Sequence, residues 1–361
     1  MKGELGKMNK HKKNKISGIT IISLVVTVIV LLILAGISVS MLTGNNGIIL
    51  NAGKAKESVG LSQEAEKIDN AVLKTSGKTK FGDITVPVLQ NELDEEFGEN
   101  QAEAMDNGDT IVVKIEERYY EIDQNGNLSG PITLEKMEYA GDITKGGTCK
   151  GTEANPYRIE CIEDLVKLSQ MAYNYETLGN KYYLLVRDLD FNSIFSYANY
   201  NSKYSYIEEH DAYEPDENSS QTIKELCTTG KGFIPIGSKY DRTEKCFWGI
   251  FDGQENTIKN IYINTEKNAG LFGGCGGATI KNITIGGNIT CNGSGNVSGI
   301  LVTGSNNTLN NCHNQADISN TGTGNASGIS SLGSGKIVKC TNKGNVTSVK
   351  SNAGGITTSR C

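Results

Sequence analysis

The sequence is poor in the residues that usually carry chemistry. It has three histidines: His11 in a lysine-rich leader, His210 in an acidic loop and His313 in a repeated segment. After Glu266 the only carboxylate side chain is Asp317. No acid/base constellation emerges, so the expectation is a non-catalytic protein without a cofactor, with a polysaccharide-active enzyme as the lesser alternative. The nine cysteines are odd in number and include no C-x-x-C pair, which leaves little support for zinc. Mostly buried thiols are expected, with Cys149 and Cys161 the first pair to test for a bridge. The run Asp123-Gln124-Asn125-Gly126-Asn127 alternates oxygen ligands but lacks the acidic twelfth ligand of a calcium loop, so a hairpin turn is the better reading and no metal is expected. There are only five prolines and one tryptophan against 43 glycines. The glycines recur at fixed spacing with β-branched residues between them, which excludes simple disorder and favours turn-dense β structure.

What the chain does have is an unbroken apolar run from Ile19 to Leu42. As a helix rising ~1.5 Å per residue, it would be long enough to cross a bilayer. Six lysines precede it and only Lys54 and Lys56 follow closely, so residues 1–18 are expected to be cytoplasmic and everything after Leu42 outside. The run is too long for a cleaved secretory signal and no Ala-x-Ala-type site follows. The expected partner of residues 19–42 is therefore the lipid bilayer, in a single-pass cell-membrane protein. With the basic leader set apart, the remaining chain carries a net charge of −11, a poor basis for binding nucleic acid.

Lys15-Ile16-Ser17-Gly18 followed by Ile19-Thr20-Ile21-Ile22 resembles the processing site of type IV prepilins and type II secretion pseudopilins. The resemblance implies a prepilin peptidase that cuts after Gly18 and methylates Ile19, and other pilin-like subunits as partners. The family usually has glutamate at the fifth mature position, where this chain has Ser23. Turn formers from Thr43 to Gly47 lead into an amphipathic helix, so that residues 43–77 read as helical, with Ala52, Ala55, Val59, Ala65, Ile68 and Val72 on one face. Residues 78–140 read as a small α+β head of the pilin-like kind. Within it Ile111, Val113 and Ile115 alternate onto one face and Arg118 to Ile122 forms the returning strand.

From residue 141 to 361 the chain turns to Gly, Thr and Asn. A strand at Pro156 to Ile159, a helix with Leu165, Leu168 and Met171 or Ala172 inward, and the strand Tyr182 to Phe191 come in an order that resembles bacterial surface domains with GLUG repeats. Phe233-Ile234-Pro235-Ile236-Gly237 and Phe247 to Gly253 extend the likeness. Asp188 and Asp190, on the same side of one strand, could suggest paired carboxylates but belong to this pattern, where they look structural. The GLUG motif itself falls on Gly270, Leu271, Phe272 and Gly273.

The repeat stands without the family. Segments starting at Ile258, Ile280, Leu309 and Ile337 are similar, and Gly270, Gly299, Gly328 and Gly355 recur at near-constant steps. With no helical pattern between the strands, a right-handed parallel β-helix or close relative is expected. The expected inner files are Ile258, Ile280, Leu309 and Ile337, then Ile261, Ile283, Cys312 and Cys340, with Asn314 and Asn342 as an amide ladder. The Leu165 helix would cap the stack. The last unit stops part-way, so the C-terminus is expected to be incomplete.

The fold class is thus mainly β: a transmembrane pilin-like helix, a small α/β head and a parallel β-helix. For contact with a partner, the insertion from Phe195 to Tyr213 offers Tyr197, Tyr200, Tyr204, Tyr206 and Tyr213 as a putative binding loop. The expected function is a membrane-anchored surface protein that binds or adheres to a glycan or protein. The alternative is a minor pilin or pseudopilin in a filament.

Overall fold

The structure, a computed structural model, describes residues 25–32, 48–79, 82–134, 137–171, 180–237 and 246–358. Gly18, Ile19 and Ser23, and most of the apolar run, lie outside these. Residues 25–32 are helical. Among the described residues no helix is long and apolar enough to cross a membrane.

The head is a helix laid on a small antiparallel sheet. Helix α1 (Ile48–Lys78) runs past α2 (Val86–Phe97), and both cover four strands: β1 (Glu103–Asp106), β2 (Ile111–Ile115), β3 (Arg118–Ile122) and β4 (Leu128–Thr133), ordered β1-β2-β3-β4. The apolar stripe of α1 is used only in its second half, where Ile68, Ala71 and Val72 join Leu89, Leu93, Val113, Ile115, Tyr120 and Ile122 in one core. Val59 stays exposed, because the short sheet does not reach that far along the helix. Glu64 clamps the helix to β3 through Arg118 at 2.7 Å and the Tyr120 hydroxyl at 2.8 Å. The turn after β3 is the expected hairpin. Asp123 accepts from the Asn125 and Asn127 amides and the Asn127 side chain, which holds its carboxyl below the usual range.

Beyond residue 141 the chain winds into a parallel β-solenoid of about six turns. One strand per turn builds its longest ladder: β5 (Tyr157–Ile159), β6 (Tyr182–Leu185), β7 (Ile250–Asp252), β8 (Thr279–Cys291), β9 (Leu301–Asn314) and β10 (Ser330–Val338). All are paired in parallel, and one inner file reads Tyr157, Tyr183, Phe251, Ile280, Leu309, Ile337. This corrects the register expected from the IKNI-like strings. Ile258 belongs to a different file, Leu189, Ile258, Ile285, Asn314, Asn342, and Ile261 stands opposite Gly287 rather than Ile283. The reason is local. Asn260 and Asn282 both sit at positive φ, 53° and 54°, so the same four-residue string turns two different corners of the coil.

The amide ladder and the burial of Cys312 are as the repeat implied. Asn314 donates to Asn342 Oδ1 at 2.7 Å and ties down its own turn through Ala316, forming the amide ladder. Cys312 pairs beneath Ile283 and is fully buried, a small hydrophobe in an aliphatic file. Among the described residues no disulfide forms. Seven of the eight cysteines there, Cys149 and Cys161 included, are buried, and Cys340 is half-buried.

Helix α3 (Ile162–Met171) packs against β5, the terminal strand of the ladder, and drives Ile162, Leu165, Val166 and Leu168 into the core. The head touches the solenoid through a small separate cluster of Val112, Tyr119 and Ile194, with Phe195 edge-on to Tyr119 at 6.2 Å. Asn107 is its polar pin. Its Oδ1 accepts from the Ile194 amide at 2.7 Å while its Nδ2 donates to Thr110 and Glu121. Asn107→Ala strands a buried N–H and is expected to destabilise the protein by about 1–3 kcal/mol. The reading is a lower urea midpoint together with faster proteolysis between head and solenoid; an unchanged rate would remove the junction from the stability of the molecule.

Candidate binding surface

The tyrosine insertion is built as a strap. Ser193 accepts from the Phe195 amide and opens a single 3-10 turn (Ile194–Ser196), after which the Glu163 carboxylate of α3 accepts the Ala198 and Asn199 amides at 3.0 and 2.9 Å. The chain then forms a two-stranded hairpin, Tyr204–Ile207 against Ala212–Pro215.

The five tyrosines divide by burial. Tyr197 and Tyr213 are 2% and 3% exposed, turned into the core, and their hydroxyls donate to the Phe191 carbonyl at 2.9 Å and the Gly232 carbonyl at 2.7 Å. Burial pushes both phenols up from their ordinary range. These two rings present no surface to a ligand. Tyr200, Tyr204 and Tyr206 are half-buried. Tyr200 leans on the head through Met105, and Tyr206 bonds Asp211 at 2.6 Å and carries the Lys231 ammonium 4.0 Å above its ring. What the insertion offers to solvent is therefore part of three rings and an acidic hairpin tip at Glu208 to Asp211, where Lys267 answers Asp211 at 2.9 Å.

The GLUG positions are inside. Gly270, Leu271, Phe272 and Gly273 are all buried, and the coil above comes so close that a Cβ on Gly270 would lie 2.7 Å from the Ser298 carbonyl oxygen. Asp188 accepts the Thr257 amide at 2.7 Å, and Asp190 accepts from Asn192 and Asn260. Both carboxylates close turns between coils.

The chain is similar to halomucin. It is 29% identical to that protein of Haloquadratum walsbyi over 185 residues, which make up 50% of this chain and 2% of halomucin. The match thus spans a small fraction of that relative. No protein-family profile matches the chain, and no solved structure matches it.

One surface went unremarked in the sequence. Outward positions of successive coils repeat polar groups: Thr257, Thr284, His313 and Thr341 in one file, Asn264, Thr290, Ser319 and Thr347 in another. His313 is held from both ring nitrogens, by Thr341 at 2.7 Å and Asn311 at 3.1 Å, and borders a shallow cleft of about 340 Å³ with Thr284, Gln315 and Lys343. The same coil-length spacing that revealed the inner files runs through these polar positions and is the signal that finds them.

Proposed function

We propose that the protein is a membrane-anchored cell-surface protein that holds a non-catalytic β-solenoid outside the cell to bind a hydroxyl-rich glycan or a protein. The observation that carries the anchor is the helix at residues 25–32, where seven apolar side chains from Val25 to Leu32 are each 47–67% exposed. Water is a poor solvent for a helix that is apolar on every side, and a lipid phase is a good one. The lysine-rich leader before the apolar run gives the orientation. The polar files of the solenoid, with hydroxyls and amides repeated coil by coil, supply the binding surface, and the half-buried rings of Tyr200, Tyr204 and Tyr206 add aromatic area.

The test is fractionation of cells that express the full chain. The chain is expected to stay in the membrane pellet through an alkaline carbonate wash, and external protease is expected to remove the solenoid from intact cells. Recovery in the soluble fraction would overturn the anchor. If protein reconstituted in vesicles bound nothing on glycan and matrix arrays, the adhesive role would go with it.

A second reading, a minor pilin or pseudopilin with a GLUG-type domain as cargo, draws support from the head, where the second half of α1 lies on a four-stranded antiparallel sheet. It requires cleavage after Gly18 by a prepilin peptidase and recovery of the chain in sheared filaments.

A further inference from the structure

Where the chain passes from the head to the solenoid, Lys145 stands in a tight turn with its backbone at φ 50°, a conformation that costs energy in a residue other than glycine. The turn aims its side chain inward. Lys145 is 8% exposed, and its Nζ lies 2.6 Å from Oδ2 of Asp164, a residue of α3 with no exposure at all. The Oε2 of Glu160 is 3.6 Å from the same nitrogen. Asp164 Oδ1 accepts the Gly141 amide and its Oδ2 the Glu160 amide, each at 2.9 Å. Burial raises the Asp164 carboxyl above its ordinary range, against the downward pull of the Lys145 hydrogen bond. Glu160 is held by Arg158 at 2.8 Å. Burial alone would raise its carboxyl, but the Arg158 hydrogen bond and the Lys145 charge bring it below the usual range and keep it ionised.

We propose that Lys145 and Asp164 are joined by an intramolecular isopeptide bond, formed with Glu160 as the proton carrier. Every part that amide formation needs is within reach: an amine against a carboxyl carbon, a neighbouring carboxylate, two main-chain N–H groups on the carboxyl oxygens, and little water. Glu160 takes a proton from the Lys145 ammonium, and the freed amine attacks Cγ of Asp164. The Gly141 amide, on Oδ1, stabilises the oxyanion that forms there. As the Nζ–Cγ bond is made, Glu160 returns that proton to Oδ2 and relays a second one to it from the attacking nitrogen, so that the Cγ–Oδ2 bond breaks and Oδ2 leaves as water carrying both protons. An ammonium and a carboxylate become one amide and one water, so atoms and charge balance without any oxidant, nucleotide or metal. The product replaces a buried ion pair, whose desolvation offsets much of its attraction, by a neutral group whose remaining oxygen keeps the Gly141 donor. It also ties the junction turn to the cap helix covalently.

The experiment is peptide mapping by mass spectrometry of the purified full chain after tryptic digestion. A branched peptide that contains Lys145 and Asp164, lighter by one water than the sum of its arms, is expected, with no cleavage after Lys145. Glu160→Gln keeps the ion pair and should fold with an unchanged circular dichroism spectrum, yet the linked fraction should fall about a hundredfold. Lys145→Arg should abolish it. Linear peptides ending at Lys145 from folded wild-type protein would overturn the proposal, as would full linkage in folded Glu160→Gln.

Discussion

Phe272→Ala is expected to lower stability by about 3–5 kcal/mol. Phe272 has no exposure and lies where the aromatic part of the core is densest: its ring centroid is 5.1 Å from that of Phe247 and 5.4 Å from that of Phe251, and Phe247 in turn meets Tyr183 at 5.3 Å. These rings come from successive coils, so a void at Phe272 removes contacts from the coil on either side. The parallel ladder above and below it limits collapse, which keeps the cost toward the upper part of the range. Trp248, the only tryptophan of the chain, packs its ring over Gly276 in the same region and serves as the reporter. Urea unfolding followed by its fluorescence should show a clearly lower midpoint. Val349→Ala, at a side chain 69% exposed, is the control and should change stability by less than about 0.5 kcal/mol. Equal shifts for the two would mean that this region is not the core of the solenoid.

Gly299→Val should be comparably severe for the opposite reason, at about 3 kcal/mol or more. Gly299 lies in the file that begins at Gly270, and its backbone does not need the left-handed region. It needs room. A Cβ there would fall 2.6 Å from Asn314 Oδ1 and closer still to the Gly328 carbonyl oxygen. Neither can retreat: the Gly328 amide donates to Gly354, and Asn314 bonds both Asn342 and Ala316. The substitution should therefore separate two coils and break the amide ladder. Gly147→Ala makes the contrast, since open space surrounds Gly147 and only its φ of 76° resists a side chain. If Gly299→Val unfolded in urea like the parent, close approach between coils would not be what the glycine spacing encodes.

The solenoid was legible because its physics is repetitive. A glycine required by close approach recurs wherever the approach recurs, so Gly270, Gly299 and Gly328 marked the coil length correctly, and Gly355 continues their spacing with open space around it. Asn314 and Asn342 announced their ladder in the same way. The phase of the first unit was not legible, since Asn260 and Asn282 serve equivalent left-handed corners at different points of the coil. Helix α2 escaped because its apolar side chains are few: Leu89 and Leu93 carry its buried face, beside Glu92, which is buried with Lys78 as partner at 2.5 Å. The tyrosines were read by composition, which gives the chemistry of a ring but not its direction. Tyr197 and Tyr213 point inward because main-chain carbonyls of the interior accept their hydroxyls. The Lys145, Glu160 and Asp164 group left no sequence signal, because no motif joins a turn residue to a helix it meets only after folding.

The stacked register also sets how such a chain can change over generations. Each position bonds its counterpart one coil away, at steps of 29 and 28 residues along the file from Phe251 to Ile337. Duplication or loss of one whole coil would restore every ladder partner and alter the rod by about 4.8 Å. An in-frame change of odd length within a strand would instead turn inner residues outward. The length of the solenoid is thus a quantity that heredity can adjust in units, while the head and its junction remain as they are.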